Sequence, residues 1–201
     1  MTYASIADLK ARLGATKSTN DDALARALEA ATAQIAEHTG RDFAVAPAAH
    51  GGNSRVFRPE QAHRLDIDDC VADVNTVVEY KTARTGSWTA LTVDTDFIFE
   101  PLNGRFNSRT WSTESVVMIN PGKFLSCAAW PSVRVTARWG WPEIPDDIAE
   151  ATLLQASKLV DRGDAPSGTL GVDGFGSVVR VQSGLDRDAA TLIEPFVRIV
   201  L

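Results

Sequence analysis

A short acidic run, Asp66-Ile67-Asp68-Asp69, is the cluster of residues best suited to chemistry. Strand alternation would place Asp66 and Asp68 on the same side, and carboxylate oxygens are the ligands that hard divalent cations prefer. The run lacks the central glycine and the terminal bidentate Glu of a calcium loop. We therefore interpret it as a solvated turn before a strand, and an enzyme built on these aspartates is the weakest functional hypothesis.

Two other patterns invite a chemical interpretation. The glycine-rich residues 171–176 resemble a phosphate-binding loop, but a helical pattern precedes them and a strand-like run follows. A dinucleotide-binding loop needs the reverse order, so we predict a plain loop.

Cys70 and Cys127 are the only cysteines and form no CxxC pair. We predict two buried thiols and no zinc site, and we expect no metal and no cofactor.

Composition narrows the class of protein further. The 201 residues carry 20 basic and 26 acidic side chains, a formal net charge of -6. This charge argues against wrapping nucleic acid through phosphate contacts, yet it suits a surface that DNA passes without adhering. The N-terminus has no secretion signal, and no apolar run approaches the ~20 residues that span a bilayer. We expect a protein that is made in the cytoplasm and does not enter membranes.

Helical patterns occupy the two ends of the chain. Ser5 is placed to cap a first helix that Gly14 ends, and an alanine-rich helix with Leu24, Leu28 and Ile35 on one face runs to Gly40. A third helix begins at Pro145, and Asp186 is placed to cap a fourth that Pro195 stops. These segments predict a helical frame of about four helices.

The middle of the chain has a residue pattern typical of β-strands. Short runs of β-branched and aromatic residues alternate with turn residues as far as Trp139, and all five tryptophans lie in or beside this region. We predict an α+β fold, in which a helical frame is interrupted by a β-rich, sandwich- or barrel-like insert. The predicted boundaries are 1–49 plus 141–201 for the frame and 50–140 for the insert.

The order of these features resembles the head–tail connector, or adaptor, proteins of long-tailed bacteriophages. The resemblance rests on the sequence at five places, none of which is diagnostic alone. These are residues 5–10, the helix end His38-Thr39-Gly40-Arg41-Asp42-Phe43, the valine-rich strand that ends in Trp139-Gly140-Trp141, residues 144–148, and residues 192–198. The resemblance covers both flanks, whereas the large β insert departs from the many adaptors that have a smaller connection there.

The resemblance implies a structural protein rather than an enzyme. Adaptors form rings, typically of twelve copies, that attach below the portal and join it to a stopper or to the tail, with DNA passing through the lumen without sequence-specific binding. The chain would then be a virion protein at the head–tail interface, assembled in the host cytoplasm. Arg41, Phe43 and Trp139 are assigned to the structural joint between helix and insert.

The apolar C-terminal end is the remaining candidate site. An apolar, β-prone tail after Pro195 either packs against the body or adds a strand to a partner. The resemblance favours the second role, docking to the portal, for the six residues of the tail: Phe196, Val197, Arg198, Ile199, Val200 and Leu201. Two alternative functions stay open, namely another tail-completion or stopper protein, and a β-domain that binds a ligand on a helical base.

Overall fold

A computed structural model describes residues 1–14, 21–49, 53–119, 130–164, 169–170, 179–180 and 184–198. Within these residues the fold is α+β, as the sequence predicted. The chain divides into two compact units. The helical unit is Met1–Phe43 with Ile144–Leu201, and the β unit is Ala44–Glu143.

The helical unit contains four α-helices in its described part: α1 (Ile6–Leu13), α2 (Asp21–Thr39), α3 (Asp146–Asp164) and α4 (Arg187–Ile193). As predicted, the Ser5 hydroxyl accepts the N–H of Asp8 at the start of α1, and Gly14 ends this helix with a φ of 63°. Leu9, Leu24, Leu28 and Ala156 meet in the core that joins α1, α2 and α3. The 3.6-residue periodicity of the sequence therefore corresponds to real buried faces.

The β unit contains two four-stranded antiparallel sheets. The first contains, in spatial order, β1 (Ser54–Phe57), β9 (Val133–Thr136), β3 (Val77–Tyr80) and β4 (Thr89–Ala90). The second contains β10 (Arg138–Trp139), β2 (Arg64–Val71), β8 (Thr113–Met118) and β5 (Phe97–Glu100). Buried side chains of both sheets, among them Ile67, Val78, Val116 and Val135, share one apolar core, so the arrangement is a small sandwich.

In the described part of the chain, four further short strands form two antiparallel pairs outside the sandwich sheets. They are β6 (Arg105–Phe106) with β7 (Arg109–Thr110), and β11 (Thr169–Leu170) with β12 (Val179–Arg180). The position of β12 agrees with the strand-like run predicted after residues 171–176. The glycine-rich residues 171–176 lie outside the described residues, as does Cys127.

The prediction for the acidic run was wrong in its secondary structure. Residues 64–71 form β2, the longest strand of the β unit, which pairs with both β8 and β10. The three aspartates tolerate this location because each has a neighbour to bond. Arg64 donates to Asp66 (2.8 Å), Arg55 donates to Asp68 (2.6 Å), and the Ser112 hydroxyl donates to Asp69 (2.7 Å).

The ends of the β unit differ from the predicted boundaries at residues 49/50 and 140/141. Val45 forms a parallel bridge with Trp141. The Trp141 N–H donates to the Ala44 carbonyl and the Ala46 N–H donates to the Trp141 carbonyl, both at 2.8 Å. Residues 44–46 and 141 therefore belong with the strands, because their backbone groups pair with each other.

Candidate assembly surfaces

The C-terminal segment begins with a well-capped helix. The Asp186 carboxylate accepts the N–H groups of Asp188 (2.9 Å) and Ala189 (3.3 Å), which fixes the start of α4. Its backbone N–H in turn donates to the side chain of Gln155 on α3, at 2.7 Å. A short 3-10 helix, Glu194–Phe196, follows α4 and brings Phe196 into the core. The start of the segment is thus tied to the helical unit by polar contacts, and its end by an aromatic ring.

Three aromatic rings hold this end of the helical unit together. Phe43 lies between Tyr3 and Phe196, with ring centroids 5.6 Å and 5.7 Å apart and nearly perpendicular planes. The Tyr3 hydroxyl donates to Asp42 (3.1 Å) and accepts the N–H of Phe43 (3.1 Å). Burial, and secondarily the adjacent Asp42, raise the pKa of Tyr3 to about 12. The cluster combines apolar packing with a satisfied hydroxyl.

Backbone contacts fix the same segment to the end of α2. The buried Arg41 guanidinium donates through Nε to the carbonyl of Phe196 at 2.9 Å. The Arg198 N–H donates to the carbonyl of Thr39 at 2.8 Å. Gly40 lies between these two contacts in the left-handed conformation, with a φ of 65°. Residues 38–43, at the end of α2, therefore form the surface against which the C-terminal segment (residues 186–198) packs.

The six residues predicted to form a docking tail divide into two groups. Phe196 is completely buried in its own unit, whereas Val197 is 36% exposed and Arg198 is half-buried. The last three residues, 199–201, lie outside the described residues. The first residue of the predicted tail is therefore part of the core, and this leaves residues 197–201 as the candidate docking part.

The predicted joint residues belong to two different units. Arg41 and Phe43 both contact Phe196 of the C-terminal segment. Trp139 lies on β10 and makes its contacts within the β unit. Its indole N–H donates to the carbonyl of Asn53 (2.8 Å), and the Arg55 guanidinium lies 4.3 Å from its ring centroid. Trp139 is thus a packing residue of the sandwich.

Gly140 and Trp141 hold the two ends of the β unit together, a role that the sequence interpretation missed. Trp141 is completely buried, and its ring lies 5.1 Å from that of Trp111. Gly140 has a φ of 123°, and a Cβ there would lie 2.5 Å from the Ala44 carbonyl oxygen. Glycine between two tryptophans was the available clue, because such a glycine often marks a close approach of two backbone segments.

The outer face of the first sheet carries a group of aromatic and cationic side chains. The Lys81 ammonium lies 4.7 Å from the ring centroid of Trp88 and 5.5 Å from that of Trp130. The Arg134 guanidinium lies 4.7 Å from the Trp88 centroid and also donates to Glu79 at 2.6 Å. Each cation is engaged by rings of its own chain, so this group supports a structural cation–π role better than capture of a ligand.

The acidic run offers no shared chemistry. Its three carboxylates bond to three different neighbours, and the side chain of Asp69 is buried while that of Asp66 is exposed. In the described part of the chain, no group of three or more His, Cys, Asp or Glu residues is arranged to hold a metal ion. Among the described helices, none has the length and apolar character needed to cross a membrane.

Comparison with solved structures finds a chain of similar fold. Over 98% of this chain and 90% of the other, the structure is similar to a chain of the neck of an empty GTA particle computed with C6 symmetry, with a TM-score of 0.52 and 17% identity. A GTA is a gene transfer agent, a phage-like particle. No family model matches the sequence, and no curated protein matches it.

The structural similarity extends beyond the two flanks that carry the sequence resemblance. A match over 98% of the chain includes the β unit as well as the helices. The β insert is therefore shared with this neck protein, although it is larger than the connection in many of the adaptors that the sequence resembles. At this level of identity the similarity establishes the fold, which both chains have in common.

Proposed function

We propose that this chain is a non-enzymatic structural protein of a phage-like virion, a head–tail adaptor that forms a ring under the portal. The observation that carries the proposal is the fold shared with a chain from a particle neck, over nearly the whole length of both chains. The ordered motifs at both ends of the sequence support it independently.

In the proposed assembly, copies of the chain form a closed ring, typically of twelve, between the portal and the stopper or tail. A ring needs two different, complementary surfaces on each copy, because its contacts run head to tail. DNA would pass through the lumen without sequence-specific recognition. The net charge of -6 suits such a passage, since like charges limit adhesion.

The candidate portal contact is the end of the C-terminal segment. The Phe196 side chain is buried and its carbonyl accepts the Arg41 guanidinium, so Phe196 is a fixed base for the residues that follow. We propose that Val197 to Leu201 are the docking part and that they add a strand to the portal. Strand addition needs only backbone groups and alternate apolar side chains, and Val197, Ile199 and Leu201 supply such side chains.

Co-expression with the portal protein of the same genome tests this function. We expect the two proteins to copurify and to form ring-on-ring particles in negative-stain electron microscopy. A chain that ends after Arg198 should lose portal binding, as should the full-length variant I199S/V200S/L201S, while both keep the thermal stability of the wild type. Normal portal binding by both variants would refute the docking role of the tail, but it would not refute the adaptor function.

The same experiment separates the adaptor from its structural alternatives. A stopper or tail-completion protein would bind only when another neck protein is already in place on the portal. If this chain fails to bind bare portal and is absent from purified particles, the adaptor proposal is wrong. If it binds only the preassembled neck, the stopper alternative is favoured.

A further inference from the structure

We infer that the two ends of strand β5 form a head-to-tail contact between copies of this chain. The inference rests on the ring proposed above and names one contact that would build it. β5 is an edge strand of the second sheet. A patch of exposed apolar and charged residues lies at each end of this strand, and the two patches have opposite charge.

The basic patch is the hairpin of β6 and β7 with the short 3-10 helix that precedes it. Leu102 is 58% exposed and Phe106 is 46% exposed. Arg105 and Arg109 are exposed, and residues 101–113 contain no acidic residue, so the segment has a formal charge of +2. Phe106 and Arg109 are cross-strand partners and therefore share one face of the hairpin.

The hairpin is built to hold this patch in place. Both residues of its two-residue turn, Asn107 and Ser108, have positive φ, as a type I′ turn requires. The Arg105 guanidinium donates to the Ser108 carbonyl at 2.8 Å, and the Trp111 N–H donates to the Gly104 carbonyl at 2.8 Å. A preorganised hairpin loses little entropy when it docks.

The acidic patch lies at the start of β5. Val93 is 49% exposed, and Ile119 is 46% exposed at the end of the neighbouring strand β8. The Ile119 N–H donates to the Asp96 carbonyl at 2.9 Å, which joins these two segments. Asp94 is exposed and Asp96 is half-buried, and residues 91–98 contain no basic residue, so their formal charge is -2.

The two patches are complementary in charge, and they lie far enough apart on one copy to contact two different neighbouring copies. Each combines two exposed apolar side chains with two charges, and the charges have opposite sign. The four residues of β5 separate the patches by about 13 Å, since a strand rises about 3.3 Å per residue. Opposite ends of one strand cannot meet within a copy, but they provide the two distinct surfaces that a head-to-tail contact needs. This complementarity identifies the occupant as a second copy.

Photo-crosslinking of the purified full chain tests the contact directly. Phe106 is replaced by p-benzoylphenylalanine and the protein is irradiated at millimolar concentration. We expect dimers and larger ladders, with peptides containing Val93, Asp94 or Ile119 attached to the probe. The control carries the same probe at Val74, which is 99% exposed and belongs to neither patch. Absence of inter-copy products from the Phe106 probe, or products at unrelated surfaces, would overturn the inference.

Charge exchange provides a second test that loss of folding cannot imitate. N107D/R109E changes the formal charge of the basic patch from +2 to -1, and D94N/T95K/D96N changes that of the acidic patch from -2 to +1. Asp and Asn remain compatible with the positive φ of positions 107 and 94. Each variant alone should lower the crosslinking yield about tenfold or more, because like charges then meet. An equal mixture should restore the yield, since the patches of the two variants are complementary. Failure of the mixture to recover would refute the pairing.

The result is separable from that of the proposed function. If the chain forms rings on portal but the crosslinks fall elsewhere, the adaptor function stands and the β5 contact is wrong. If the chain crosslinks through these patches but never binds portal, the contact stands and the portal role is wrong.

Discussion

The side chains of Gln155 and Gln34 meet between α3 and α2, with the Gln155 Nε2 donating to the Gln34 Oε1 at 2.6 Å. The Gln155 Oε1 accepts the N–H of Asp186 at 2.7 Å, and its side chain is completely buried. One amide thus joins α2, α3 and the start of α4. Such a fully bonded buried group is costly to replace, because its partners are left without hydrogen bonds.

We therefore expect Q155L to reduce the free energy of unfolding by about 2–4 kcal/mol, since a buried N–H and a buried oxygen lose their partner. Chemical denaturation followed by circular dichroism at the helical band measures this loss. The matched control is S157A on the same helix, which removes only a hydroxyl that bonds to the Leu153 carbonyl. Equal stability of Q155L and the wild type would show that the amide network contributes nothing.

Gly140 should tolerate no side chain. Alanine there would combine a φ of 123° with a Cβ placed 2.5 Å from the Ala44 carbonyl oxygen and 2.9 Å from the Ala46 nitrogen. Because both atoms are backbone, we expect G140A to destabilise the β unit by about 3 kcal/mol or more. All five tryptophans lie in this unit, so tryptophan fluorescence during unfolding reports the loss.

G14A is the matched control for this substitution. Gly14 also has a positive φ, of 63°, but a Cβ there would meet no atom within 4 Å. We expect it to cost only about 1 kcal/mol, the ordinary penalty of the left-handed conformation. If G140A and G14A lowered the free energy of unfolding by the same amount, the close approach of the Ala44 backbone to Gly140 would not contribute to the cost of G140A.

The elements that the sequence predicted well are those with local causes. Ser5, Gly14 and Asp186 mark helix ends by hydrogen bonds or backbone conformations that involve only near neighbours. The alternation of Val133, Val135 and Ala137 likewise corresponds to buried positions on one face. Local chemistry is readable from sequence because the partners are a few residues apart.

The elements that it missed depend on distant partners. Strand β2 carries three aspartates, which disfavour a strand, and it is stabilised by Arg55 and Ser112 from other parts of the β unit. The core position of Phe196 depends on Phe43, more than 150 residues earlier. The two patches of the second sheet are likewise defined by pairing of Asp96 with Ile119, which no sequence spacing reveals.

Stability should decrease at alkaline pH because two buried groups resist ionisation. Burial raises the pKa of Cys70 from 9.0 to about 12, and it also raises the pKa of Tyr3 from 10.0 to about 12. A group with a higher pKa in the folded state holds its proton more tightly there. Its contribution is fully present below its unfolded pKa and is lost as the pH approaches 12. We therefore expect the unfolding free energy to fall from about pH 9 upward.

Variants separate the two groups. C70A should remove the part of the decrease that begins near pH 9, and Y3F should remove the part that begins near pH 10. The chain has only two tyrosines, so absorbance at the tyrosinate band in a Y80F background follows Tyr3 alone. Titration of Tyr3 near its ordinary pKa of 10.0 would contradict its burial against Asp42.

Phe196 and Val197 should differ sharply despite being neighbours. Phe196 is completely buried against Phe43, and its carbonyl accepts the Arg41 guanidinium, whereas Val197 is 36% exposed. We expect F196A to lower the free energy of unfolding by about 3–5 kcal/mol, because it leaves a cavity in the aromatic cluster. V197A should cost less than about 1 kcal/mol. If F196A left stability unchanged but abolished portal binding, Phe196 would belong to the docking surface and not to the core.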